Sequence, residues 1–208
     1  MTGSPWIRIP PRPADGHKGT FGSVVVVGGC VSPRRMLGGP ALSAAAAMRA
    51  GCGLCELAMP APLLDAALTI VPVATGVPLA VDGEGVIDPT AAAISLAEAA
   101  ERATVVAIGP GLGRSPAAEA VVETTLATAR SLGRPLVVDA DALNAIAERP
   151  PQSPWPTSPP TIVTPHPGEF RRLATALGLE ADPVSPDLRS AAARDLARRL
   201  GAVVVLKG

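Results

Sequence analysis

The sequence has no surplus of either charge. Eighteen Lys and Arg stand against eighteen Asp and Glu, and the isoelectric point is near 6.7. A surface that gathers phosphate backbones needs a basic balance, so nucleic acid is not an expected partner. Long apolar runs are also missing. The longest are short and broken by Gly, Pro or charge, so no membrane span is expected. The opening stretch MTGSPWIRIPPRPADGHKG lacks the apolar segment of a secretory signal. Cysteine is scarce and odd in number, three in all, which argues against a disulfide framework and for a reducing cytoplasm. Cys52-Gly-Leu-Cys55 has no second CxxC and no nearby His to complete a metal site. It reads as two small core residues at the mouth of a strand. Lysine is limited to Lys18 and Lys207 and histidine to His17 and His166.

What is present alternates strand and helix. Val24-Val25-Val26-Val27 is an unbroken β-branched run ending at Gly28-Gly29, as expected for a strand covered on both faces of a parallel sheet. After the glycine-rich CVSPRRMLGG, a helix is expected over about 40–50, with proline tolerated in its first turn. Further strands are expected at 54–59, 104–108, 136–138, 161–164 and 203–206. Helices are expected at 61–68, 90–103, 116–132 and 186–200, with a short one after Asp141 and another ending near Leu177. Residues 69–88 read mainly as loop, with room for a short strand at 78–81. PPQSPWPTSPP, at 150–160, reads as a proline-rich surface loop. Leu188, Ala192, Leu196 and Leu200 recur four apart on one helix face, and Gly201 suits the C-terminal cap. No internal repeat is visible. The alternation predicts a single α/β domain over 1–208, with a mostly parallel central sheet and helices on both faces.

Four late strands run into unusual loops: GPGLG after Ile108, DADALN after Val138, TPHPGEF after Val163 and LKG after Val205. In a parallel sheet these ends share the edge where ligands bind. GPGLG permits close backbone approach and leaves amides ahead of the helix starting near Ser115, an anion-friendly arrangement that is also a tight turn. It is not GxGxxG, because Arg114 follows the third Gly. Asp139 and Asp141 can hold Mg²⁺ through water or line a polar pocket with Asn144, while Asp141 also suits the cap of a helix starting at Ala142. His166, fixed between two prolines, is a candidate ligand contact. Glu169 can join it or cap the next helix. Lys207 can meet a phosphate as a point charge or face solvent. His17-Lys18-Gly19 reads as a solvated lead-in from which Lys18 could reach the edge of the site.

Together with Lys18-Gly19-Thr20-Phe21-Gly22, Gly38-Gly39-Pro40-Ala41-Leu42 and the run from Met48 to Leu54, these loops resemble, in this order, the ADP/ATP-dependent NAD(P)H-hydrate dehydratase family. The resemblance spans nearly the whole chain. It implies a ribokinase-like three-layer sandwich and repair of hydrated nicotinamide cofactors. In that chemistry ADP or ATP, with Mg²⁺, phosphorylates the hydroxyl on C6 of the hydrated ring, and phosphate leaves to restore NADH or NADPH. The resemblance further implies that Gly39, Gly111 and His166 lie against the NAD(P)H-hydrate, that Lys207 and Gly208 open the nucleotide-binding segment, and that the protein is a homo-oligomer.

The sequence departs from that family in several places. Gly38-Gly39 replaces Gly-Ala, Cys52 and Cys55 replace small apolar residues, and no Pro-Glu pair follows near Val71-Pro72-Val73. The 150–160 loop reads as an insertion. Family members continue past Lys-Gly to a Thr and a Gly-rich turn ending in Gly-Asp, whose amides and carboxylate serve phosphoryl transfer. The expectation is therefore a domain whose C-terminal part is missing, with no catalytic base in 1–208 and no efficient turnover. A small-molecule kinase of the same fold and a non-catalytic, truncated nucleotide-binding paralogue are the other readings. An uncovered strand at 203–206 is expected to make the chain prone to associate.

Overall fold

The computed structural model describes residues 11–208. The first element among the described residues is a 3-10 turn, Lys18–Phe21, capped by His17. From there strands and helices alternate: β1 (Ser23–Val27), α1 (Gly38–Ala50), β2 (Leu54–Pro60), α2 (Ala61–Ile70), β3 (Thr75–Leu79), α3 (Pro89–Arg102), β4 (Val105–Ile108), α4 (Pro116–Ser131), β5 (Leu136–Val138), α5 (Asp141–Glu148), β6 (Thr161–Val163), α6 (Pro167–Ala176), α7 (Arg189–Leu200) and β7 (Val203–Val204).

All seven strands are parallel, in the order β3-β2-β1-β4-β5-β6-β7. The valine run lies at the centre, in register with β2 on one side and β4 on the other. Its side chains alternate between two cores. Val26 packs with α1 and α2 residues such as Ala44 and Leu63. Val25 and Val27 join the larger core built from α3 to α7, with Leu96, Leu126, Phe170 and Leu196. Both faces are thus covered, which is why the strand reads as continuously apolar. Each fully buried aliphatic side chain contributes about 2 kcal/mol.

Helix ends follow their local chemistry. Asp88 caps α3 through the amides of Thr90 and Ala91, and Ser115 caps α4 through Ala118, each with proline in the first turn. Gly201 closes α7 in the left-handed region at φ 69°.

The departures from expectation have physical causes. β3 lies at 75–79 rather than 78–81, and contains Gly76 and Pro78; as an edge strand it tolerates a residue without an amide hydrogen. α7 begins at Arg189 rather than near 186. Leu188 is its N-cap and is 53% exposed, so only Ala192, Leu196 and Leu200 of the expected apolar face are buried. β7 is two residues long rather than four. Beyond it the pairing with the β6 side continues as single bonds, from the Val205 amide to Val163 O and from the Lys207 amide to Pro165 O, both 2.9 Å.

Candidate functional site at the carboxyl edge of the sheet

The direction of chain travel reverses between β1 and β4, and their carboxyl ends form the switch point at which ligands bind in sheets of this kind. Backbone contacts join the loops there. The Gly29 amide donates to Pro110 O at 3.1 Å. A Cβ on Gly28 would lie 2.3 Å from that same oxygen, and one on Gly39 would lie 3.1 Å from Pro110 Cβ. The first turn of α1 is therefore pressed against GPGLG, with Gly39 and Gly111 on either side of Pro110.

The next loop is equally close. A Cβ on Gly109 would lie 1.8 Å from Asp139 O, so only glycine fits, and its φ of 130° also favours glycine. Within GPGLG the Leu112 amide bonds Gly109 O at 3.2 Å, and the Gly113 amide donates to Asp141 Oδ2 at 2.9 Å. The Gly111 amide has no acceptor among the described residues. The loop thus offers fewer free amides than its sequence suggested.

Asp141 does not cap a helix starting at Ala142. It is the first residue of α5, and its carboxylate reaches across to the neighbouring loop. Its other oxygen accepts from Asn144 Nδ2 at 3.3 Å, and Asn144 Oδ1 accepts from Arg172 Nε at 2.8 Å. This chain ties the GPGLG loop to α5 and α6. Beside it a pocket of about 240 Å³ is lined by Gly113, Ser115, Asp141 and Asn144. Between the two aspartates, Ala140 holds φ 51° and ψ −122°, a conformation strained for a residue with a Cβ.

Asp139 lies at the centre of the polar cluster. Its Oδ1 accepts from Lys207 Nζ at 2.6 Å, and Glu169 Oε2 is 4.0 Å from the same ammonium. Lys207 is therefore not simply facing solvent; its ammonium is held by a carboxylate. Glu169, almost fully buried, accepts from the His166 amide at 2.8 Å, and His166 Nδ1 accepts from the Gly168 amide at 2.9 Å. This reciprocal cap opens α6. With Nδ1 accepting, the ring proton resides on Nε2, which faces Glu169 Oε1 at 3.3 Å. Half of the His166 side chain remains exposed.

A continuous series of contacts therefore runs from Gly39 through Pro110, Gly109, Asp139, Lys207 and Glu169 to His166. Apart from Lys18, the expected site residues take part in it or adjoin it. Gly208 adjoins it through Pro167, whose Cδ would lie 3.3 Å from a Cβ placed there. Lys18 is the exception to the expectations. It precedes β1, and its carbonyl would lie 1.6 Å from a Cβ on Gly53 just before β2, at the opposite edge of the parallel sheet. It cannot reach the site.

Two arginines were not singled out from the sequence. Arg172 orients Asn144. Arg189 donates to Leu206 O at 3.0 Å and to Gly208 O, fixing the segment that carries Lys207. Nothing in a run of sixteen arginines distinguishes these two by sequence. Within the CxxC, Cys55 is a core residue, as expected, and Cys52 is partly buried against the same core. Burial pushes the Cys52 thiol up and the Cys55 thiol up to about 12, and Cys52 Sγ lies 3.5 Å from Met48 Sδ. Among the described residues no three His, Cys, Asp or Glu side chains gather into a metal site, and no helix is long and apolar enough to cross a membrane.

Comparison with known proteins identifies the family. The family model described as NAD(P)H-hydrate dehydratase matches residues 24–208. Bifunctional NAD(P)H-hydrate repair enzymes are similar over almost the whole chain. The relative from Salinibacter ruber is 38% identical over 202 residues, 96% of this chain and 34% of that protein. The relative from Pyrobaculum aerophilum is 40% identical over 203 residues, 95% of this chain and 36% of that protein. The chain spans about a third of the length of these curated relatives. Among solved structures, a ribokinase-like superfamily protein of Enterococcus faecalis superposes with a TM-score of 0.76 at 25% identity, covering 96% of this chain and 62% of that one. An ADP/ATP-dependent NAD(P)H-hydrate dehydratase from Bacillus subtilis shares the fold, with a TM-score of 0.65 at 24% identity over 96% of this chain and 62% of that one. With its carboxyl-edge loops, its seven-stranded parallel sheet and a family match from the first strand onward, the chain belongs to the NAD(P)H-hydrate dehydratase family.

Proposed function

We propose that this chain supplies the substrate-binding side of a site for ADP- or ATP-dependent dehydration of (S)-NAD(P)H-hydrate to NAD(P)H. The observation that carries the reading is the unbroken contact series from Gly39 to His166 within a family match covering residues 24–208. The hydrated nicotinamide lies over Gly39 and Gly111, whose lack of side chains lets α1 and GPGLG pack closely and where the Gly111 amide is free to donate. His166 presents its exposed edge to the ring, with Glu169 and the Gly168 amide fixing its orientation.

The nucleotide supplies a phosphoryl group that turns the C6 hydroxyl into a good leaving group. Loss of the C6–O bond and a C5 proton then restores the dihydronicotinamide. Lys207 and Gly208 lie where the nucleotide phosphates approach. Lys207 exchanges part of its contact with Asp139 for a phosphate oxygen. Asp139 and Glu169 already hold one cation, the Lys207 ammonium. They are the carboxylates that would meet, through water, a Mg²⁺ accompanying the nucleotide.

Calorimetric titration with (S)-NADH-hydrate tests this reading, with NADH as the control. Preferential binding of the hydrate is expected, weakened about tenfold by His166→Ala, or ~1.4 kcal/mol. Equal binding of NADH and its hydrate would overturn it. Incubation of the hydrate with ADP or ATP separates the chemistries: a dehydratase regenerates dihydronicotinamide absorbance, whereas a kinase accumulates a stable phosphorylated product.

A further inference from the structure

Away from the carboxyl-edge cluster, a second pocket of about 230 Å³ opens between α4, α5 and the proline-rich loop. Its walls are largely apolar, with Val122 and Leu126 from α4, Ile146 from α5, and Trp155 from the loop. Arg130, near the end of α4, also lines it. The guanidinium stacks over the Trp155 ring at 4.3 Å from the centroid. Its Nη2 is buried with no hydrogen-bond partner, and Arg130 forms no ion pair among the described residues.

The other charges of the pocket are matched. Arg149 lies 3.7 Å from Glu119 and 3.2 Å from Glu123, so both carboxylates turn to Arg149 and Arg130 has no direct anionic partner among the described residues. Burial holds its basicity below the ordinary arginine value, consistent with a guanidinium lacking an anion. A half-buried cation facing apolar walls is unfavourable unless an acceptor meets it, and an arginine fork suits a carboxylate. A space of about 230 Å³ admits a molecule the size of a small aromatic acid.

We propose that this pocket is a binding site for a small monocarboxylate with a flat or branched apolar body, its carboxylate on Arg130 and its body against Trp155. The site is separate from the proposed dehydratase chemistry and does not depend on it.

The chain holds only two tryptophans, so a Trp6→Phe variant leaves Trp155 as a built-in reporter. Titration of this variant with benzoate, followed by indole fluorescence, is expected to give a saturable change with half-saturation on the order of millimolar. Benzamide, which has the same shape without the charge, is expected to bind at least tenfold more weakly. Arg130→Gln is expected to raise half-saturation for benzoate at least tenfold. The absence of a saturable signal overturns the proposal, as does equal binding of benzoate and benzamide. So does unchanged benzoate binding by a folded Arg130→Gln protein. If that variant does not fold, the benzoate–benzamide comparison on the Arg130-containing chain decides alone.

Discussion

Ala140 sits between Asp139 and Asp141 in a conformation that its own side chain disfavours, at φ 51° and ψ −122°. Strain of this kind persists only where surrounding contacts over-determine it, and here Asp139 and Asp141 anchor the peptide on both sides. Ala140→Gly is expected to raise stability by about 1 kcal/mol in urea denaturation, strain relief exceeding the added unfolded-state entropy. Gly109→Ala should act oppositely. With Asp139 O only 1.8 Å from the new Cβ, a loss of about 3 kcal/mol or more is expected by the same measurement. Cys55 gives a pH effect. Its thiol is raised from 9.0 to about 12 in the folded chain, first by burial and then by the nearby Cys52 and Glu56. The unfolded chain therefore loses this proton first as pH rises. The stability contributed by the protonated thiol is complete below pH 9.0 and is lost as pH approaches about 12, with a slope of up to ~1.4 kcal/mol per pH unit. Cys55→Ala should flatten that segment of an alkaline stability profile. The strand-end position of GPGLG and of His166 was legible in the sequence because apolar strands run directly into these loops. The roles of Asp141 and Lys207 were not, because each depends on a partner across the fold: Gly113 for one and Asp139 for the other.

Among the elements, legibility followed burial. β1 and β5 could be read directly because their apolar runs are covered on both sides. β3 was displaced in the reading because an edge strand can include Gly76 and Pro78, residues that signal a loop elsewhere. The start of α7 was placed too early because Leu188 fits the helical period yet faces solvent. The final strand was overestimated because VVVL suggests a longer ladder than the chain forms; past Val204 the segment is held by isolated backbone bonds and by Arg189. Arg189→Ala should release the carbonyls of Leu206 and Gly208. Hydrogen exchange at the Val205 and Lys207 amides is then expected to quicken at least tenfold, while β1 amides remain protected.

At the level of the whole molecule, the two sheet edges differ. β3 is blunted by Pro78. At the other edge Val204 and Leu206 pack against the larger core, while Val203 and Val205 are 55% and 50% exposed. The helical layer of α1 and α2 covers the β1–β2–β3 side and does not extend over these valines. An apolar face beside a short edge strand favours association. Light scattering of the 208-residue chain is expected to show assemblies larger than a monomer, reduced by the double substitution Val203→Lys and Val205→Lys. A monodisperse monomer before substitution would count against this. The opposed placement of the two lysines has a practical consequence. Lys18 lies at the amino edge of the sheet and Lys207 at the carboxyl edge, paired with Asp139. Amine-directed labelling can therefore place a probe beside the proposed site and a matched reference at the far end of the same domain, without introducing a residue for the purpose.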